Sequence, residues 1–205
     1  MNESRIPVTL VIVDTGPLIS LAACDRLDLL DQFSLRVRVT DVVKSECLRY
    51  PNKVGGNVLG SWFGQFDGKI CHVVKTPFLE TWQDAVRQEE AGDETHPSKG
   101  IGDASIAWLL QRINASPPQE EIVLLLSEDA PFGNGAVLAT HPEVYMLSTR
   151  MFLKVLENFE IIESASQIIS DIADAGRTVS RYASDRPGKI APGLKSQWTD
   201  PLKRT

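Results

Sequence analysis

Cysteine and histidine are scarce in this sequence, and neither residue type forms a cluster. Its three cysteines and three histidines are Cys24, Cys47, Cys71, His72, His96 and His141. An odd number of widely spaced cysteines with no C-x-x-C pair indicates neither a disulfide framework nor a cysteine zinc site. The scattered histidines give no zinc signature either. Unpaired cysteines are typical of a reducing compartment, so we expect a cytoplasmic protein.

Long apolar runs are also missing. Runs such as Ile122–Leu126 are far too short to span a membrane, although apolar residues make up 42% of the chain. The stretch Leu21–Cys24 resembles a lipoprotein cleavage box, but Asp14 interrupts the apolar region before it, and a signal peptide needs an uninterrupted one. We therefore expect Leu18–Ala23 to be a core helix. The G-x-x-x-x-G-K-[ST] loop is absent, which excludes a P-loop NTPase.

Charge is distributed unevenly along the 205 residues. The net charge is −6, yet residues 177–205 hold seven basic and two acidic residues, which leaves −11 on the rest of the chain. This end is rich in proline and glycine and has few apolar residues apart from Trp198. Such a segment cannot build a core, so we predict an extended basic tail. It is either a solvated terminus or an arm whose positive charge compensates the negative charge of the rest of the chain.

Apolar runs of strand length alternate with stretches of helical spacing. Strands are predicted over 8–14, 36–40, 71–75, 122–126 and 144–147. Helices are predicted over 17–33 with a break near 25–28, then 42–49, 103–114, 132–139, 149–158 and 166–175. The glycine-rich residues 52–60 and the polar residues 89–102 predict loops, and Trp62, Phe63 and Phe66 predict a packed helix or turn after the first of them.

Strands that are apolar throughout and alternate with helices are typical of a buried parallel sheet. We predict an α/β protein, a three-layer α/β/α fold around a mostly parallel sheet. Its domain covers residues 1–162, with a helical and loop insertion around 50–99. A C-terminal helix at 163–176 and the basic tail at 177–205 follow.

Four carboxylates lie where predicted strands end or the following helices begin: Asp14, Glu46, Asp103 and Asp129. In an open α/β sheet, ligands bind outside the carboxyl ends of the strands. Four carboxylates converging there would repel one another, and a divalent cation would relieve that repulsion. Hard oxygen ligands suit Mg²⁺ or Mn²⁺, which activate water and stabilise the oxygens of a phosphoryl displacement.

Each carboxylate also has an ordinary structural interpretation. Asp103 could cap its helix, Glu46 could be an exposed helix residue, and Asp129 could form an Asx turn beside an exposed Glu128. Asp14 is the hardest to explain in this way, because it directly ends a buried strand. Its D-T-G sequence occurs once, whereas aspartic proteases need two such aspartates. A haloacid-dehalogenase-type phosphatase would need a second aspartate where Gly16 stands.

Four motifs occur in a familiar order over roughly residues 8–155. They are V-I-V-D-T-G-P-L-I, T-D-V-V-K-S-E-C, G-I-G-D-A-S-I-A and L-L-L-S-E-D-A-P-F. With these motifs the chain resembles the PIN-domain ribonucleases, and among them the VapC-like toxins of toxin–antitoxin modules. The chain is longer than a small toxin of that family, and its acidic body is unusual for a protein that binds RNA.

The resemblance implies a PIN fold and a Mg²⁺- or Mn²⁺-dependent endoribonuclease. It implies that Asp14, Glu46, Asp103 and Asp129 are the catalytic, metal-binding set, and that Thr15 and Ser127 place hydroxyls near it. Lys44 and Lys99, close in sequence to Glu46 and Asp103, are candidates to hold substrate phosphates. They could equally be solvated surface lysines.

The expected partners are RNA, an antitoxin protein and a second copy of the chain. Related nucleases commonly pair through helices, and five apolar positions near the C-terminus exceed the needs of a short helix: Ile161, Ile162, Ile168, Ile169 and Ile172. The alternative function is a catalytically idle PIN-like module that binds RNA or protein. Such a module would be expected to lose one of the four carboxylates, and all four are present.

Overall fold

Five strands form one sheet in the computed structural model, which describes residues 8–31, 37–69, 71–93, 95, 97–114, 122–128 and 143–179. These strands are β1 (Val8–Val13), β2 (Val37–Thr40), β3 (Cys71–Val74), β4 (Ile122–Leu126) and β5 (Glu143–Leu147). All neighbouring strands run parallel, in the order β3-β2-β1-β4-β5. The predicted α/β class with a parallel sheet is confirmed.

The helices of the described part of the chain flank this sheet, an arrangement consistent with a three-layer α/β/α fold. They are α1 (Thr15–Ala23), α2 (Asp28–Asp31), α3 (Asp41–Leu48), α4 (Gly56–Phe66), α5 (Leu79–Glu90), α6 (Ile101–Asn114), α7 (Thr149–Asn158) and α8 (Ala165–Asp174). None of these helices is long and apolar enough to cross a membrane.

The middle of the sheet explains why its strands are apolar throughout. Val11, Ile12 and Val13 of β1 are fully buried, and Val11 is in register with Leu124 of β4 and Val37 of β2. A strand with neighbours on both edges and helices on both faces has no solvent side, so alternation with polar residues is lost. Burial of each such side chain stabilises the folded state by about 1.5–3 kcal/mol.

The chain reverses its direction of progress across the sheet at β1. It moves from β1 through β2 to β3 on one side, and β4 and β5 lie on the other. The carboxyl ends of β1 and β4 therefore flank a topological switch point, the usual ligand position in such sheets. The ends are aligned there, since the Asp14 N–H donates to the Leu126 carbonyl at 2.9 Å.

Several predicted boundaries need correction. The first strand ends at Val13 rather than Asp14, and α1 begins at Thr15 because Asp14 caps it. The predicted loop over 52–60 is wrong in its second half, where α4 begins at Gly56. A Cβ at Gly56 would lie 2.5 Å from the Pro51 carbonyl oxygen, so glycine here allows close packing.

The predicted loop over 89–102 is shorter at both ends, since α5 ends at Glu90 and α6 begins at Ile101. Helix α5 itself lies where no element was predicted. The segment 50–99 is also more than an insertion beside the sheet, because it contributes the edge strand β3. The predicted helix over 132–139 and the tail from residue 180 lie outside the described residues.

Most of the isoleucines near the C-terminus pack in the hydrophobic core of their own chain. Ile162, Ile168 and Ile172 are buried, and Ile161 is 44% exposed. The sequence argument for a dimer is therefore wrong for these three buried positions. The dimer itself stays a prediction.

Candidate active site

Asp14 lies at the switch point between β1 and α1. It is the N-cap of α1, with extended backbone angles, and its side chain is only slightly exposed. One carboxylate oxygen accepts the Thr15 N–H at 2.7 Å, and the other accepts the Ser127 hydroxyl at 3.0 Å. Ser127 directly follows β4, so these bonds fix the carboxylate between the ends of the two central strands.

Glu46 reaches the same region from the last turn of α3. Its Oε2 accepts the Thr15 hydroxyl at 2.5 Å, which places Glu46 beside the residue that follows Asp14. Its carboxylate also packs against the first turn of α6, where a Cβ at Gly102 would lie 2.7 Å from Oε1. No side chain fits at Gly102 unless Glu46 moves.

Asp103 is the third residue of α6 and is partly buried. A hydroxyl pair holds this end of α6 to the sheet: Ser105 donates to the Gly102 carbonyl at 2.6 Å, and its Oγ lies 2.7 Å from the Thr40 hydroxyl. Since the single Ser105 hydroxyl proton goes to Gly102, Thr40 is the donor in the second bond. Asp103 is thus anchored next to the glycine that contacts Glu46.

The carboxylates interact electrostatically. Burial raises the pKa of Asp14 to about 7; hydrogen bonds from Thr15 and Ser127 lower it, and the charges of Asp103 and Glu46 raise it. Burial likewise raises the pKa of Glu46, with a hydrogen bond from Thr15 opposing it and the charge of Asp103 adding to it. The site therefore carries negative charge at a cost that a bound cation would offset.

The donor chemistry of Asp14, Glu46 and Asp103 fits a hard divalent cation, because all three offer carboxylate oxygens. The charge of Asp103 raises the pKa of both Asp14 and Glu46. Across the described ranges, no group of three or more histidine, cysteine, aspartate or glutamate side chains is close enough together to hold an ion. Asp129, the fourth predicted ligand, lies outside the described residues. The metal site stays a prediction.

The two candidate phosphate-binding lysines differ in their surroundings. The Lys44 ammonium forms an ion pair with Asp67 at 3.0 Å and lies 5.4 Å from the centre of the Phe63 ring. Lys99 is exposed in the turn before α6. The role of either lysine toward a phosphate stays a prediction.

Three residues near the site were not predicted. The side chain of Trp82 in α5 opposes the rise in the pKa of Glu46, and nothing in the sequence distinguished it from a core tryptophan. Glu128, considered as an exposed charge, has a side chain only 12% exposed. The sequence did contain an indication of its burial, because Glu128, like Asp14, closely follows an apolar strand. Arg177 was assigned to the tail but contacts the start of α1.

Compared with known proteins, the chain matches no family model, no curated protein and no solved structure. What the fold and site define is therefore a class: an α/β protein with a parallel sheet and a group of interacting carboxylates at its switch point. The resemblance to PIN-domain ribonucleases is carried by the four sequence motifs and their order alone.

Proposed function

We propose that this protein is a metal-dependent endoribonuclease with a PIN-like fold. The observation that supports this most is Asp14, a buried carboxylate whose pKa is raised to about 7 beside two further carboxylates. An ionised carboxylate buried at the carboxyl end of a central strand destabilises the fold, and groups with strongly shifted pKa values cluster at functional sites. The switch point between β1 and β4 is also where α/β sheets place ligands.

Asp14, Asp103 and Asp129 would hold Mg²⁺ or Mn²⁺, with Glu46 completing the set or orienting a water. The ion would supply an activated water and positive charge toward the phosphate oxygens. The chain's own contribution is position. Ser127 and the Thr15 N–H aim the Asp14 carboxylate, and the Thr15 hydroxyl aims that of Glu46.

The proposal includes RNA as the substrate, a cytoplasmic location, and a homodimer as the assembly. An antitoxin partner would make the protein the toxin of a two-component module. A small neighbouring reading frame with a DNA-binding N-terminus would support that role, and light scattering at micromolar concentration would test the dimer. A monomer in that measurement contradicts the assembly but leaves the nuclease proposal in place.

Cleavage of labelled RNA with Mg²⁺ or Mn²⁺, and with EDTA, tests the activity. We expect Asp14→Asn, Glu46→Gln and Asp103→Asn to abolish cleavage. Asp28→Asn is the matched control, because it also neutralises a carboxylate, but one that is exposed and paired with Arg26. Full cleavage by Asp14→Asn contradicts the proposal. RNA binding without cleavage in the native chain would favour the idle binding module instead.

A further inference from the structure

A second charged group contacts the first turns of α1, the helix whose N-cap is Asp14. It consists of Glu128, Arg177, Ser20 and Thr149, together with the Gly16 carbonyl, and we refer to it as the Glu128–Arg177 cluster. The Glu128 Oε1 accepts the Ser20 hydroxyl at 2.7 Å and the Thr149 hydroxyl at 2.6 Å. Its Oε2 lies 3.8 Å from the Arg177 guanidinium.

Arg177 uses two nitrogens of its guanidinium in this cluster. The Nε donates to the Ser20 hydroxyl at 2.8 Å, and Nη2 donates to the Gly16 carbonyl at 3.1 Å. Ser20 thus accepts from Arg177 and donates to Glu128, so it links the two charged side chains, which also form an ion pair. A lysine offers a single point of charge and could not reproduce this planar fork.

The backbone of Arg177 is fixed before its side chain reaches the cluster. Helix α8 ends in a Schellman motif: the Arg177 N–H donates to the Ile172 carbonyl at 3.1 Å, and the Gly176 N–H to Ala173 at 2.9 Å. Gly176 has a φ of +85°, which glycine adopts without strain. The helix end thereby directs Arg177 back toward α1.

The cluster joins the elements that carry the site. Gly16 and Ser20 belong to α1, whose N-cap is Asp14, and Glu128 follows Ser127, which donates to Asp14. The packing is tight, since a Cβ at Gly16 would lie 3.3 Å from that of Glu128. Any loosening of Glu128 would therefore move Ser127 relative to Asp14.

We propose that Arg177 and Glu128 are positioning residues that hold the Asp14–Ser127 pair in register for the carboxylate site. We assign Glu128 to positioning, because its Oε1 accepts two hydroxyls and its Oε2 faces the Arg177 guanidinium. This inference deepens the proposed function and rests on it. It assigns to the first residue of the basic C-terminal segment a role within the fold.

The test compares Arg177→Ala, Arg177→Lys and Glu128→Gln with the native full-length chain. Binding of Mn²⁺ alone is followed through the electron paramagnetic resonance signal of the free ion. We expect Arg177→Ala and Glu128→Gln to weaken Mn²⁺ binding by about 10-fold or more, the usual effect of losing an outer-shell partner. Arg177→Lys should rescue binding only in part. In cleavage assays, kcat should fall while KM for RNA stays nearly constant.

Ile172→Val is the control for a merely structural role. It loosens α8 by removing one buried methyl group, at a cost of about 1 kcal/mol, and leaves the cluster intact. We expect its Mn²⁺ affinity to match that of the native chain. If Arg177→Ala binds Mn²⁺ as tightly as Ile172→Val does, the inference is wrong.

A second measurement separates this inference from the proposed function. Amide hydrogen exchange of the metal-free protein should become faster at the hydrogen-bonded amides of Asp14, Leu18 and Ser127 in Arg177→Ala but not in Ile172→Val. If the native chain binds no Mn²⁺, the proposed function fails, and unchanged exchange in Arg177→Ala overturns the positioning role independently of it.

Discussion

Replacing Asp14 with asparagine should stabilise the metal-free protein at neutral and alkaline pH. The folded-state pKa of Asp14 is about 7, against an ordinary value of 3.8. Between these two values the folded state binds more protons than the unfolded state, so the free energy of unfolding falls as pH rises. Three pKa units at 1.36 kcal/mol each give a loss of about 4 kcal/mol, complete slightly above pH 7.

Asparagine carries no charge and nearly the same shape. Its carbonyl oxygen can accept the Thr15 N–H, and its amide can donate to the Ser127 hydroxyl, so both contacts of Asp14 have replacements. Near pH 4 the native chain and Asp14→Asn should therefore be similarly stable. Near pH 8 the variant should be more stable by up to about 4 kcal/mol, roughly 10 °C in Tm for a chain of this size.

Urea unfolding in EDTA at several pH values between 4 and 8.5 measures this effect. The difference between the two proteins isolates Asp14, because the other titrating groups are common to both. The matched control is Asp28→Asn, whose carboxylate is exposed, and its difference from the native chain should stay nearly constant with pH. A pH-independent difference for Asp14→Asn would refute the reasoning, since the burial of Asp14 would then carry no cost.

Three further experiments follow from the site. Saturating Mn²⁺ at pH 7.5 should raise the Tm of the native chain but not of Asp14→Asn, with about 2.7 kcal/mol gained at 100 times the Kd; equal shifts would argue against a site at Asp14. Gly102→Ala should displace the Glu46 carboxylate and impair cleavage with little loss of stability, because its Cβ would meet only the end of that side chain and alanine favours the helix. Gly64→Ala, which has open space around its Cβ in α4, should cleave RNA like the native chain. Equal cleavage by the two variants would contradict the contact. Truncation after Val179 keeps Arg177 and removes the basic tail. Weaker RNA binding with a shallower salt dependence would indicate that the tail binds RNA, and faster cleavage would indicate that it covers the site. No change in either measurement would indicate a solvated tail.

Local sequence pattern was sufficient for most of the sheet. All five strands were predicted to within a residue at each end. Continuous apolar runs predicted β1 and β4, because a strand buried on both faces shows that burial in its own residues, whereas the alternation of Val37 and Val39 with arginines predicted β2. Helix α7 was predicted at its observed bounds. The structure adds that Ser148 is its N-cap. The local sequence also identified Asp14 as a candidate site residue, since a charged carboxylate at the end of a buried apolar run is costly unless it has a partner or a function.

Tertiary structure decided which side chains meet. The bond between Thr15 and Glu46 spans 31 residues, that between Ser127 and Asp14 spans 113, and that between Arg177 and Ser20 spans 157. Local periodicity contains no information about such pairs, so Arg177 could be read only as part of a basic tail. The start of helix α4 shows the same limit, because Gly56 helps to predict a loop, yet it lies in the helix, where its close contact with the Pro51 carbonyl leaves no room for a side chain.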